Sequence, residues 1–190
     1  MKTLNQYIQE KLIVNKDYSD ASISPKSFNE LRKIIEDRYD KLGPGTEKNP
    51  IDFNDIVVSN IDSFYSSNIG KGIFQGTQFK YIDISDWDVS NIESMCAMFY
   101  ECKELESVGD LSSWDVSSVE NMDNMFYDCE NFNQDISKWN VSKVNNMAYM
   151  FYYCKKFNQD LSRWDVLNVT NKLGIFYRSG IKNEYKPKFK

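Results

Sequence analysis

Four cysteines are the first residues whose spacing invites chemistry. Cys102, Cys129 and Cys154 recur at intervals of 27 and 25, and Cys96 precedes Cys102 by six residues. A thiol ladder of this kind could ligate a metal or close disulfides. Against that, the chain has no C-x-x-C pair, and a free cysteine serves equally well as a small buried residue. Histidine is absent from all 190 residues. Its absence removes Ser-His-Asp and Cys-His catalysis and every His-bearing metal site.

Acidic residues form two further ladders: Asp83, Asp110, Asp135 and Asp160, and Asp88, Asp115, Asn140 and Asp165. Carboxylates in adjacent layers repel unless bridged or hydrogen-bonded. Calcium is one bridge, as in Asp-bearing repeat turns, although those turns are glycine-rich and these are not. The alternative is that each Asp accepts hydrogen bonds from turn amides. Neither ladder contains a general acid–base pair, and nothing marks a nucleophile. The chain is therefore expected not to be an enzyme, with no catalytic, cofactor-binding or metal residues assigned. Tyr100, Tyr127, Tyr152 and Tyr153 are the better candidates for contact with a partner, since tyrosine is favoured at interfaces; half-buried spacers are the competing reading. The sequons Asn140-Val-Ser and Asn168-Val-Thr fall on repeat positions and are read as incidental.

The elements that must position these residues are repeats. Trp87, Trp114, Trp139 and Trp164 are separated by 27, 25 and 25, within the pattern D-[IL]-S-x-W-[DN]-V-S-x-[VI]-x-x-M-x-x-M-F-Y-x-C-x-x-[FL]. Phe132–Val141 (FNQDISKWNV) returns almost unchanged as Phe157–Val166 (FNQDLSRWDV). A worn unit begins near Asp55, and the unit after Trp164 is degraded, with Lys172 in place of methionine. Ser90-x-x-Glu93 and Ser117-x-x-Glu120 have the form of capping boxes. Ile92, Met95, Phe99 and Cys102 then follow at helical spacing, so the pattern predicts a short helix. The FNQDISKW part alternates as a short strand would. The expected fold is an α/β repeat: a short right-handed leucine-rich-repeat-like solenoid, one short strand and one short helix per ~25-residue turn, with an α-helical N-terminal cap.

Three regions follow. Residues 1–52 form a helical cap or leader, 53–181 the repeat body, and 182–190 a basic tail. In the head, Leu4, Tyr7, Ile8 and Leu12 share one helical face, and a second helix is expected from the N-cap Ser24 and Pro25 to about Leu42. GPGTEKNP (43–50) breaks the chain. Charge is uneven: 0 over residues 1–52, −10 over 53–170 and +5 over 171–190. An acidic body argues against nucleic acid, which needs clustered Lys and Arg, and the basic tail reads as a solvated end. No apolar run approaches the roughly 18 residues of a membrane span. Without a signal peptide or lipobox, a cytoplasmic or virion-associated location is expected, with the cell surface reached only by another export route.

The W-[DN]-V-S-x-V-x-x-M-x-x-M-F-x-x-C pattern, joined by FNQD[IL]S, closely resembles the BspA-like leucine-rich-repeat surface proteins of gut bacteria, mycoplasmas and their phages. The resemblance covers roughly residues 55–178 and implies a non-enzymatic, adhesion-type module that binds another macromolecule. On that reading a monomer engages a protein partner, or a glycan, through one lateral face. Function would lie on the tyrosines and on positions that vary between copies, such as Lys138 and Arg163. A second reading rests on Met1–Glu10 (MKTLNQYIQE), which looks like the capsid-targeting segments of proteins packaged in large tailed bacteriophages. The protein would then be a virion-associated or packaged component.

Overall fold

The computed structural model describes residues 23–190. The expected first helix and the targeting-like segment 1–10 lie outside the described residues. Helix α1 spans Phe28–Leu42. Its N-cap is Ser27, whose hydroxyl accepts from the Glu30 amide, and the Glu30 carboxylate in turn accepts from the Lys26 amide. The two bonds satisfy donors that the first helical turn leaves open. Gly43 ends the helix at φ 74°, its amide donating to the Tyr39 carbonyl. The cap is thus three residues later than Ser24. The earlier stretch stays extended because Ile23 bridges Ile56 in parallel and the Ser24 hydroxyl accepts from Asn60. Leu31 and Ile35 of α1 are fully buried against the repeat body.

Four two-residue strands follow. β1 (Ile51–Asp52) pairs in parallel with β4 (Ile82–Asp83), and β2 (Tyr65–Ser66) pairs antiparallel with β3 (Lys71–Gly72). From Asp83 onward the described chain is turns and isolated bridges up to a 3-10 turn at Asn183–Tyr185. The expected right-handed leucine-rich-repeat-like solenoid, with a strand and a helix in every turn, is overturned, and of the helical N-terminal cap only α1 is described. The protein is mostly coil and turn, with one α-helix and a few short strands in small sheets among its described residues.

The local cause is visible in the hydrogen bonding. A helix needs each N–H to reach the carbonyl four residues back. Here alternate amides reach three residues back, as in Met98 to Met95, Tyr100 to Ala97 and Cys102 to Phe99. The amides between them, Met95, Ala97, Phe99 and Glu101, donate instead to Asn121, Asp123, Met125 and Tyr127 in the following unit. Left-handed residues enforce the alternation: Ala97 and Glu101, Asn124 and Asp128, and Tyr149 and Tyr153 all have φ between 52° and 59°. The supposed capping boxes are absent for the same reason. The Ser90 amide and hydroxyl both bond to Asp88, and the Glu93 amide donates to the Asp62 carbonyl.

The FNQD segments are not strands either. Their side chains carry the links between units: Gln134 accepts from the Val108 amide and donates to the Gly109 carbonyl, and Gln159 donates to Asn133. Single parallel bridges join Ser63, Ser94, Asn121, Asn146 and Asn171 in sequence. The core runs beneath them. Phe99, Phe126, Phe151 and Phe176 stack at 5.4, 5.7 and 5.7 Å, and Trp114 stacks on Trp139 at 6.2 Å. The tail is packed rather than solvated, with Ile181 and Pro187 buried and the Leu161 amide donating to the Tyr185 carbonyl. No helix among the described residues is long and apolar enough to cross a membrane.

Candidate functional site

The tyrosines occupy one slot of successive units, immediately after the core phenylalanine. Tyr100, Tyr127, Tyr152 and Tyr177 form a continuous ladder with ring centroids 4.6, 4.8 and 4.9 Å apart and interplanar angles of 13°, 7° and 18°. Spacing within this range is ordinary offset stacking, in which each ring covers much of its neighbour's faces. The first three rungs are half-buried, whereas Tyr177, at the end, is 49% exposed. Tyr149 meets Tyr152 edge-on at 5.6 Å, and Tyr153 lies tilted against Tyr152 at 4.8 Å.

Arg178 closes the ladder. Its guanidinium lies 5.2 Å from the Tyr153 centroid and 5.5 Å from that of Tyr177, and it donates to the Tyr153 hydroxyl at 2.6 Å. Burial, followed by nearby carboxylates such as Glu101 and Asp128, pushes the Tyr100 and Tyr127 hydroxyls above the ordinary phenol value. The phenols therefore stay protonated and can both donate and accept.

Of the sequence candidates, the structure brings Tyr100, Tyr127, Tyr152 and Tyr153 together. Lys138 and Arg163 are exposed, each directly before a buried tryptophan, and make no hydrogen bond or ring contact with the tyrosines. Tyr177, Tyr149 and Arg178 join the cluster without having been singled out. Tyr177 stands one 25-residue period after Tyr152, a signal present in the repeat. Tyr149 and Arg178 fall on slots held by other residue types in other units, so the repeat gave no warning of them.

The cysteines are free and buried. The Cys102, Cys129 and Cys154 thiols donate to the carbonyls of Phe74, Phe99 and Phe126 at 3.0, 2.9 and 2.8 Å, each in the preceding unit. Burial pushes the Cys96 and Cys102 thiols up to about 12 and holds those of Cys129 and Cys154 well above the ordinary thiol value. Such groups are neither ready nucleophiles nor thiolate ligands. The tryptophans act alike: the indole N–H of Trp87, Trp114, Trp139 and Trp164 donates to Phe53, Ile84, Leu111 and Ile136 carbonyls.

The aspartate ladders hold turns. Asp110, Asp115, Asp135 and Asp160 accept from the amides of Ser112, Ser117, Ser137 and Ser162, and Asn140 accepts from Ser142. Serine hydrogen bonds lower the carboxyls of Asp88, Asp115, Asp135 and Asp160. Among the described residues, no group of three or more His, Cys, Asp or Glu side chains is placed to hold a metal ion. One cleft of about 360 Å³ lies beside β4, where the Tyr81 hydroxyl bonds the Glu106 carboxylate and Lys80 pairs with the same group at 3.1 Å. That hydrogen bond, with burial, raises the Tyr81 hydroxyl to about 12.

No curated protein and no solved structure matches the chain. A family model described as a Mycoplasma protein of unknown function, DUF285, matches residues 68–188, the span from the β2–β3 hairpin through the tyrosine ladder to the packed tail. The chain belongs to this DUF285 family.

Proposed function

We propose that the protein is a non-enzymatic interaction module that holds a macromolecular partner, a protein before a glycan, through the lateral face built on Tyr100, Tyr127, Tyr152 and Tyr153. The observation that carries this reading is the four-rung tyrosine ladder itself. Stacking fixes the rings before any partner arrives, so little side-chain entropy remains to be lost on binding. The protonated hydroxyl edges supply paired donors and acceptors along the face. The resemblance of the repeats to BspA-like surface proteins favours an adhesion-type role. Lys138 and Arg163 would belong to a separate polar rim.

The test is capture of a partner by the immobilised protein, with Tyr127→Ala and Tyr152→Ala compared against wild type at matched folding by circular dichroism. Loss of about tenfold or more in affinity for each variant is expected of central aromatic contacts. Equal capture by wild type and both variants would overturn the lateral-face reading.

A further inference from the structure

The repeat backbone has a direction. At each junction alternate amides of one unit donate to carbonyls of the next, and the last junction joins the amides of Met147, Tyr149, Phe151 and Tyr153 to the carbonyls of Asn171, Leu173, Ile175 and Tyr177. Along these segments one end of the array is therefore left with acceptors and the other with donors, although the bonds just before them, from the Glu93, Glu120, Asn145 and Thr170 amides, run the opposite way. The acceptor end is covered: the Arg32 guanidinium, carried by α1, takes the carbonyls of Gly72, Ile73 and Gln75 at 2.5, 3.2 and 3.3 Å. The donor end has no such cover on its amides, although the tail reaches it, with Lys172 bonding the Lys190 carbonyl and lying over Phe189, and Lys186 lying over Phe176. The amides of Lys172, Gly174, Phe176 and Arg178, which repeat the donor positions of the preceding unit, have no hydrogen-bond partner among the described residues.

The surroundings of this edge say what it would accept. Residues 171–190 carry six basic side chains and one acidic. Farther back, Lys80, Lys103 and Lys155 each pair with a carboxylate one repeat away, Glu106, Asp128 and Glu130. None of the six terminal cations has such a partner among the described residues. Leu167, Leu173 and Tyr177 are 57, 62 and 49% exposed in the same unit. A second copy is a poor occupant, because its acceptor edge is taken by Arg32 and two donor edges cannot bond each other.

We infer that the open donor edge at Lys172–Arg178 binds an extended acidic segment of another protein, whose backbone carbonyls take the four free amides and whose carboxylates meet the surrounding lysines. Edge pairing of this kind takes affinity from main-chain bonds and selectivity from the side chains alongside. The site adjoins the last rung of the tyrosine ladder at Tyr177 and Arg178, but it does not use the face built on Tyr100, Tyr127 and Tyr152.

The experiment titrates the full chain into fluorescein-labelled peptides of alternating Glu-Val and alternating Lys-Val, reading anisotropy, with amide hydrogen exchange followed in parallel. The Glu-Val peptide is expected to bind at least about tenfold more tightly, losing affinity as salt is raised. Exchange at the amides of Lys172, Gly174, Phe176 and Arg178 should slow on binding. Lys172→Pro deletes one donor at a residue outside the left-handed region, and should bind more weakly than Lys172→Met, which keeps the donor and loses only the charge. Tyr127→Ala should bind the peptide as wild type does, which separates this inference from the lateral-face reading. Equal affinity for the two peptides, equal affinity of the two Lys172 variants, or unchanged exchange at the four amides overturns the inference. Protection of those amides by rising protein concentration alone also overturns it, assigning the edge to a second copy. If Lys172→Pro fails to fold, exchange on the wild-type chain decides.

Discussion

At the residue scale the conspicuous side chains are hydrogen-bonding groups as much as apolar ones. Cysteine fills a small space and also donates to a carbonyl in the neighbouring unit, so Cys129→Ala should cost about 1–2 kcal/mol from the lost bond and the void. Cys129→Ser keeps a donor and should cost less. Equal losses in denaturant melts would reduce the thiol to a filler. The aspartates bear on acid stability. The Asp115 carboxyl is held below its ordinary value by Ser117. Its contribution is therefore complete above about pH 4, the unfolded value, and is lost as pH falls through the lower folded value. Asp115→Asn copies the residue that stands at Asn140, where the same turn bond persists. Its acid unfolding should start at lower pH than that of wild type, and an unchanged midpoint would show that Asp115 contributes nothing. Both ladders were legible as ladders in the sequence. That their oxygens go to turn amides was one of the two readings the sequence left, beside a calcium bridge, whereas the thiol and indole bonds across units required coordinates.

At the element scale, the helical reading failed for a definable reason. Ile92, Met95, Phe99 and Cys102 are all buried, and their 3-4-3 apolar spacing cannot by itself separate a helix face from a turn sequence whose alternate amides bond to a neighbour. What separates them is φ. Glu101 sits at φ 59°, and glycine already holds the matching place at Gly76, φ 73°. Relieving a non-glycine residue there should make Glu101→Gly neutral or stabilising by up to about 1 kcal/mol. In a helix the same change would cost about 1 kcal/mol. The sign of the change in melting temperature decides between them. α1 was legible to within a few residues because its caps are local, and Ser24 lost to Ser27 because Ile23 is recruited by a bridge to Ile56.

At the scale of the whole molecule, α1 is attached through two arginines. Arg38, 2% exposed, pairs with Asp55 at 2.5 Å, and Arg32 covers the acceptor end of the repeat backbone. Arg32→Ala would leave those carbonyls without their charged donor and should destabilise the protein by about 1.5–3 kcal/mol. The loss should appear together with faster amide exchange along Tyr65–Gln75. If α1 melts while that segment stays protected, Arg32 does not serve as the edge cover.

The sequence by itself determined the period, the buried slots and the run of tyrosines, because these depend on side-chain type recurring at fixed intervals. It also placed the one described helix, whose start and stop signals lie within a few residues of its ends. Only the tertiary structure decided the backbone between those slots. An amide's choice between a carbonyl in its own turn and one about 25 residues away is made by the neighbour's presence, which no local pattern records. The same long-range choice leaves Arg32 covering one end of the array and four amides open at the other.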